Sequence, residues 1–150
     1  MTTRVSSCAA AVLALLATWG SRAAGQHEQP EPAGYHLLRT KAYLPPDFSR
    51  ELFDDLWKSW PEPLRSEAEK ASPKRRRQMA FSKYGLMEDP DRPNGPALGY
   101  ADNGQGGWSM TCLACHGGKV AGRVVPGVPN SHYALQTLTE DVAAAKSKAG

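Results

Sequence analysis

The sequence of 150 residues predicts an all-α fold in which short helices are joined by long loops. Apolar residues recur at helical spacing near both ends of the segment 47–150, and a basic segment between them is bounded by helix start and stop signals. The stretch 87–107 carries repeated Pro, Gly and Asn turn signals without a strand pattern. A hydrophobic content of 41% argues against a disordered chain, and twelve prolines indicate much irregular backbone.

The first predicted helix begins after Pro45-Pro46, with Asp47 as its candidate N-cap, and ends at Pro61. Its apolar positions form one stripe, made of Phe48, Leu52, Phe53, Leu56, Trp57 and Trp60. We interpret this stripe as a core face, because a surface helix normally buries its apolar side against the rest of the domain.

Further helices are predicted from caps and spacing. Ser72-Pro73 combines an N-cap with a proline in the first turn, and Gly85 is a typical C-terminal stop, so a helix is predicted between them. The other predicted elements are short helices over 64–71 and 109–116, a hairpin or extended segment over 120–125, and a last helix with Leu135, Leu138 and Val142 on one stripe.

The pentapeptide Cys112-Leu113-Ala114-Cys115-His116 is the most specific pattern in the chain. On a helical turn the two cysteines lie three residues apart on one face, and His116 follows at i+4 from Cys112. Two thiols so placed can each add to a vinyl group of one porphyrin, while the imidazole of His116 binds the iron as its proximal ligand. The motif therefore predicts one covalently bound haem c, with its iron, per chain.

Other chemical interpretations of the motif fit the sequence less well. A chance match is a poor explanation, because the whole chain contains only three cysteines. A redox CxxC dithiol normally follows an apolar strand, whereas a glycine-rich stretch with Gly104, Gly106 and Gly107 precedes Cys112. A zinc site would need a second pair of ligands, and the sequence has no second cysteine pair.

The opposite axial position of the iron is not assigned by any motif, since no methionine follows His116. A methionine there would give a high-potential electron carrier, a second histidine a lower-potential one, and an open site would permit peroxide or O₂ chemistry. We take His132 as a possible second axial ligand. The other candidates are Met87, Met79 and His36, whereas Met110 stands too close to Cys112 in the chain.

Residues 1–25 predict a secretory signal peptide, with a short basic start, an apolar run and small residues at its end. The apolar run is too short for a bilayer span, which needs about 20 residues. Cys8 lies before the apolar core rather than at its end, so we do not expect it to carry a lipid. The expected domains are the signal peptide at 1–25, a linker and extended entry segment at 26–46, and a haem domain at 47–150.

The charge of the chain indicates no particular partner class. The formal net charge of +3 falls to +1 without residues 1–25, because they hold Arg4 and Arg22 and no acidic residue. The run Lys74-Arg75-Arg76-Arg77 is interpreted as a solvated helix face, with a docking patch for an acidic redox partner as the alternative. We expect redox partner proteins, no nucleic acid, and no stable membrane span after signal cleavage.

From Asn94-Gly95-Pro96 through the motif to Gly117-Gly118, the chain resembles exported bacterial cytochrome c domains of the group that includes dihaem cytochrome c peroxidases and rubber oxygenases. The resemblance covers residues 84–131 and implies a cytochrome c-like fold around the haem, in the periplasm or otherwise exported. Members of the group are longer and carry a second CxxCH, so we expect this chain to be part of a longer one. The expected function is electron transfer; the alternative is the haem-containing portion of a multihaem peroxidase- or oxygenase-like oxidoreductase.

Overall fold

A computed structural model describes residues 32–149. The predicted signal peptide and the first residues of the predicted linker lie outside this range. The helices are α1 (Ala33–Thr40), α2 (Arg50–Asp55), a 3-10 helix (Leu56–Ser59), α3 (Leu64–Lys70), α4 (Pro73–Tyr84), α5 (Cys112–His116) and α6 (Leu135–Ala149). Helix α1 therefore occupies part of the segment 26–46 that we expected to be a linker and extended entry.

Within the described residues, five short strands form two antiparallel sheets. The first sheet has the order β1-β3-β2, and the second is a two-stranded hairpin that follows the motif directly. The strands are β1 (Phe48–Ser49), β2 (Tyr100–Asp102), β3 (Gly107–Met110), β4 (Gly117–Val120) and β5 (Arg123–Pro126). In the first sheet Phe48 faces Trp108 and Tyr100 faces Met110. The hairpin pairs Gly118 with Val125, which confirms the hairpin predicted near residues 120–125.

The predicted all-α, cytochrome c-like fold class is wrong. Helices account for 48% and strands for 16% of the structure, which is an α+β fold with two small sheets. Two of the missed strands, β2 and the start of β3, lie in or at the end of the stretch predicted to be loop. The turn between β2 and β3 was recognisable from its turn-forming residues. In it, the Asn103 side chain accepts hydrogen bonds from Gln105 N (2.8 Å) and Gly107 N (3.0 Å). The flanking strands are too short to show alternation.

The first predicted helix is also shorter than expected, because its beginning pairs with β3 instead. Asp47 N donates to the Trp108 carbonyl (2.8 Å), and the Asp47 carboxylate accepts from Met110 N (2.8 Å). Ser49 takes the capping role, since its hydroxyl accepts from Leu52 N (3.2 Å). The predicted N-cap at Asp47 is therefore wrong by two residues.

The caps predicted for the basic helix are confirmed. Ser72 accepts a hydrogen bond from Arg75 N (3.3 Å), and Pro73 occupies the first turn. Gly85 ends the helix in the left-handed region, at φ 62°. A Cβ on Gly85 would overlap the backbone carbonyl of His132, so the residue is required both for its backbone angle and for close packing.

The core is an aromatic cluster between the first sheet and helices α2, α4 and α6. Ring centroids of Phe53 and Trp108 are 5.1 Å apart, and those of Phe48 and Tyr100 are 5.4 Å apart. Helix α6 contributes Leu138 to the same cluster. The stripe Phe48, Leu52, Phe53, Leu56, Trp57 and Trp60 belongs to this core, which confirms its interpretation as a core face.

No helix within residues 32–149 is both long enough and apolar enough to cross a lipid bilayer.

Candidate functional site

The motif forms helix α5, five residues long and anchored by its two central side chains. Thr111 caps the helix by accepting a hydrogen bond from Leu113 N (3.3 Å). Leu113 and Ala114 are only 2% and 3% exposed. Gly99 lets the neighbouring chain approach closely, because a Cβ there would lie 2.5 Å from the Ala114 Cα. One side of the helix is therefore fixed against the protein body.

The three chemically active side chains of the motif lie on the exposed part of this helix. Cys112 and Cys115 are both exposed and carry free thiols. His116 is exposed as well, and its ring makes no hydrogen bond to any residue between 32 and 149. The structure thus brings together the three residues that the sequence nominates, with their functional atoms available from solvent.

The carboxyl end of the motif helix is held by the segment 127–130. Gly127 N donates to the His116 carbonyl (2.7 Å), and Asn130 N donates to the Cys115 carbonyl (2.8 Å). The Asn130 side chain adds a bond to the Ala114 carbonyl (3.2 Å). These bonds satisfy carbonyls that a short helix leaves without partners, so the backbone that carries the motif is fixed at both ends.

A cluster of two tyrosines and a methionine lies close to Cys115. The hydroxyls of Tyr100 and Tyr133 are 2.7 Å apart, and Tyr133 Oη donates to Met110 Sδ (3.4 Å). Burial raises the pKa of both phenols, and the neighbouring Cys115 adds to the rise, so both stay protonated at neutral pH. Sequence reasoning missed this cluster, because no pattern links tyrosines 33 positions apart.

A cavity of about 250 Å³ opens beside the tyrosine cluster. Its walls are mainly apolar and include Tyr100, Met110 and residues from one face of α6. The complete lining is Asp47, Phe48, Tyr100, Met110, Leu135, Leu138, Thr139, Val142, Ala143 and Lys146. Lys146 is the cation at this cavity, and its ammonium also donates to the Asp47 carbonyl (3.0 Å).

Large apolar side chains remain exposed on several segments, some of which adjoin the motif helix. Leu37 lies on α1, which contacts α5; Leu44 precedes β1, and its carbonyl accepts from Ser109 Oγ (2.9 Å) in β3. Six such side chains, between 36% and 62% exposed, are Leu37, Tyr43, Leu44, Val120, Val125 and Leu135.

The possible second axial ligand, His132, follows the segment 127–130, and its backbone N–H donates to the Asn130 side chain (3.3 Å). It borders an open groove of about 750 Å³ together with Met87, Gly85 and Lys119, and no motif residue lines that groove. Met79 is buried in the core, 7% exposed. His36 is exposed on α1, the helix that contacts α5. His132 does not line the cavity beside the tyrosine cluster.

Within residues 32–149, no three His, Cys, Asp or Glu side chains converge as a metal-binding group. This finding concerns ions held by side chains alone. A haem brings four equatorial nitrogen ligands of its own and needs only one or two from the protein.

Comparisons with known proteins identify no relative. No protein-family model matches the chain, and neither curated protein sequences nor solved structures give a significant match.

Proposed function

We propose that this chain is a c-type cytochrome that carries one haem on Cys112, Cys115 and His116 and transfers electrons to a partner protein outside the cytoplasmic membrane. The observation that carries the proposal is the exposure of both thiols and the imidazole on a short helix whose Leu113 and Ala114 are buried. Such an arrangement presents all three groups to one flat ligand while the protein body holds their backbone.

The two thiols supply the covalent attachment. Each S–H would add across one vinyl group of a bound porphyrin, forming a carbon–sulfur bond and giving its proton to the other vinyl carbon. This addition needs free thiols, and Cys112 and Cys115 meet that need in the folded chain. Two bonds spaced by one helical turn also fix the orientation of the ring.

The residues around the motif fit the remaining surface of a haem. Its macrocycle is apolar, and the exposed side chains of Leu37, Leu44 and Val120 are the kind of surface that it would cover. Lys146, at the rim of the apolar cavity, is a cation that would offset the negative charge of a propionate. A bound haem supplies reversible one-electron chemistry at its iron, and the protein sets its potential through the axial ligand, burial and nearby dipoles.

The test is expression of the full chain in a host that exports and matures cytochromes c, followed by the pyridine haemochrome spectrum. We expect a c-type haemochrome with one haem per chain. Cys112→Ala and Cys115→Ala should each leave a single thioether, with the band displaced toward that of an unattached haem, and the double variant should hold no covalent haem.

Cys8→Ala is the matched control, because it removes the third cysteine of the chain without touching the motif. It should retain the full haem content. Absence of haem from the unaltered chain, in a host that matures other cytochromes c, would refute the proposal.

A further inference from the structure

A second cavity, of about 320 Å³, lies between α2, the 3-10 helix and α4. Its lining combines basic and aromatic side chains and includes no residue of the motif helix. Arg76 and Arg77 of the basic run face it, and Trp57 forms part of an apolar wall with Phe53 and Pro73. This volume falls at the lower end of the range for small-molecule sites.

The side chains of the basic run, Lys74–Arg77, lie in different environments. Arg75 is exposed and is held at 3.7 Å from the Glu67 carboxylate, outside the cavity. Arg76 is half-buried: its guanidinium lies 5.0 Å from the Trp57 ring centre, and its Nε donates to the Ala71 carbonyl (3.2 Å). The run is therefore more than a solvated helix face.

Arg77 is also half-buried. Its guanidinium lies 4.4 Å from the centre of the Phe81 ring and donates to the Gly95 carbonyl (2.5 Å). Neither Arg76 nor Arg77 has a carboxylate within 4 Å among residues 32–149. A half-buried charge without a carboxylate partner has lost part of its hydration, so an anion entering the cavity would stabilise it.

The acidic residues of this cavity neutralise only part of its positive charge. Asp54 lies 3.8 Å from Arg50, which is also in the lining, whereas Asp55 is paired with Lys58 (2.8 Å), outside it. Lys74 adds a further positive charge at the cavity. Burial lowers the pKa of Arg77, and the attraction of Asp54 and Glu88 offsets this only in part. The local field therefore favours a negative ligand.

We propose that this cavity binds a small organic anion in which a carboxylate is joined to a flat apolar group, as in an aromatic carboxylate. Guanidinium groups recognise a carboxylate through paired N–H donors, which fits Arg76 and Arg77. Trp57 and Pro73 offer the apolar contact for the rest of the ligand. This site goes beyond the proposed haem function and does not depend on it, so either can fail without the other.

The test uses benzoate as the probe, titrated into the full chain by calorimetry and followed by the NMR signals of the indole and guanidinium N–H groups. We expect saturable binding with shifts at Trp57 and Arg76. Arg76→Gln and Arg77→Gln should each weaken the affinity about tenfold, the loss of one charged hydrogen bond. Arg75→Gln is the matched control on the same helix and should leave the affinity unchanged.

Asp54→Asn gives a test in the opposite direction, because it removes a carboxylate that competes with the ligand and should tighten binding. Three results would overturn the proposal: no saturable binding of benzoate, equal binding of the neutral analogue benzamide, or equal binding of inorganic phosphate. The second result would mean that charge is not recognised, and the third that the apolar group is not.

Discussion

The indole N–H of Trp60 donates to the Tyr84 hydroxyl at 2.7 Å, and both side chains are almost fully buried. The Tyr84 hydroxyl in turn donates to the Asp141 carboxylate (2.7 Å), so one phenol links α4, α6 and the residue that follows the 3-10 helix. Lys83 lies 2.9 Å from the same carboxylate and balances its charge. The main helices of the core are thus joined by a polar connection inside an otherwise apolar cluster.

Tyr84→Phe should destabilise the protein by about 1–3 kcal/mol, because it leaves the buried Trp60 N–H without an acceptor. Urea unfolding measures the loss as a lower free energy of unfolding. Tyr43→Phe is the control: Tyr43 is 62% exposed, and loss of its hydroxyl should change stability by less than about 0.5 kcal/mol. Equal effects of the two substitutions would contradict the structural role of Tyr84.

Gly85→Ala should destabilise the protein more than Gly122→Ala, although both glycines have positive φ angles, of 62° and 79°. A left-handed backbone angle alone costs alanine roughly 1–2 kcal/mol, and we expect that cost at Gly122, where no atom lies within 4 Å of an added Cβ. At Gly85 the Cβ would also overlap the His132 carbonyl, so backbone must shift. Thermal unfolding of the two variants measures the difference.

Asp89→Asn should be strongly destabilising at neutral pH. The Asp89 side chain is fully shielded and bonds to the guanidiniums of Arg39 and Arg92. Burial raises its pKa, but the hydrogen bonds from Arg92 and Arg39 outweigh burial and lower the pKa below the usual range. Breaking such a buried pair costs about 3–5 kcal/mol. Asp91→Asn, which alters the 68% exposed second partner of Arg39, should cost about 1 kcal/mol or less.

The same pair predicts how stability depends on pH. Because the pKa of Asp89 is lower in the folded chain, the unfolded chain binds this proton more readily. The contribution of Asp89 is therefore complete above the ordinary carboxyl pKa of about 3.9 and is lost as pH falls through the lower folded-state value. Urea unfolding measured from neutral to acidic pH should show that the difference in free energy of unfolding between the unaltered chain and Asp89→Asn becomes smaller. A difference that stays constant with pH would contradict the role of the Asp89 carboxylate.

His132→Ala should leave the visible spectrum of the haem-loaded chain unchanged, because His132 borders a groove that holds no motif residue. His116→Ala is the comparison, and it should convert the spectrum to one without a proximal histidine. A change from low-spin to high-spin bands in His132→Ala would identify His132 as the second axial ligand.

The sequence predicted the helices best where side chains at the ends carry the signal. Ser72, Pro73 and Gly85 fix α4 through local hydrogen bonding and backbone angles, so its limits were predictable. Phe48 and Tyr100 were not assignable to strands, because their pairing with β3 depends on residues far along the chain. Strands of two to four residues also carry too little alternation to compete with helical spacing.

Some residues of the candidate site could likewise be predicted from the sequence, and others could not. Cys112, Cys115 and His116 are adjacent on one helical turn, so the sequence alone could group them. The Tyr100–Tyr133 pair and the cavity beside Arg76 form only when separate segments pack together. Composition suggested a basic surface at Lys74–Arg77 but could not show that Arg75 turns to Glu67 while its two successors line a cavity.

The hydrogen bonds from Gly127 and Asn130 to the carbonyls of His116 and Cys115 make local opening of the motif helix measurable. An amide proton in such a bond exchanges with deuterium only when the bond opens. The exchange rates of these two amides therefore record how often the turn bearing the cysteines loosens. Gly127 and Asn130 are themselves not among the proposed haem-binding residues.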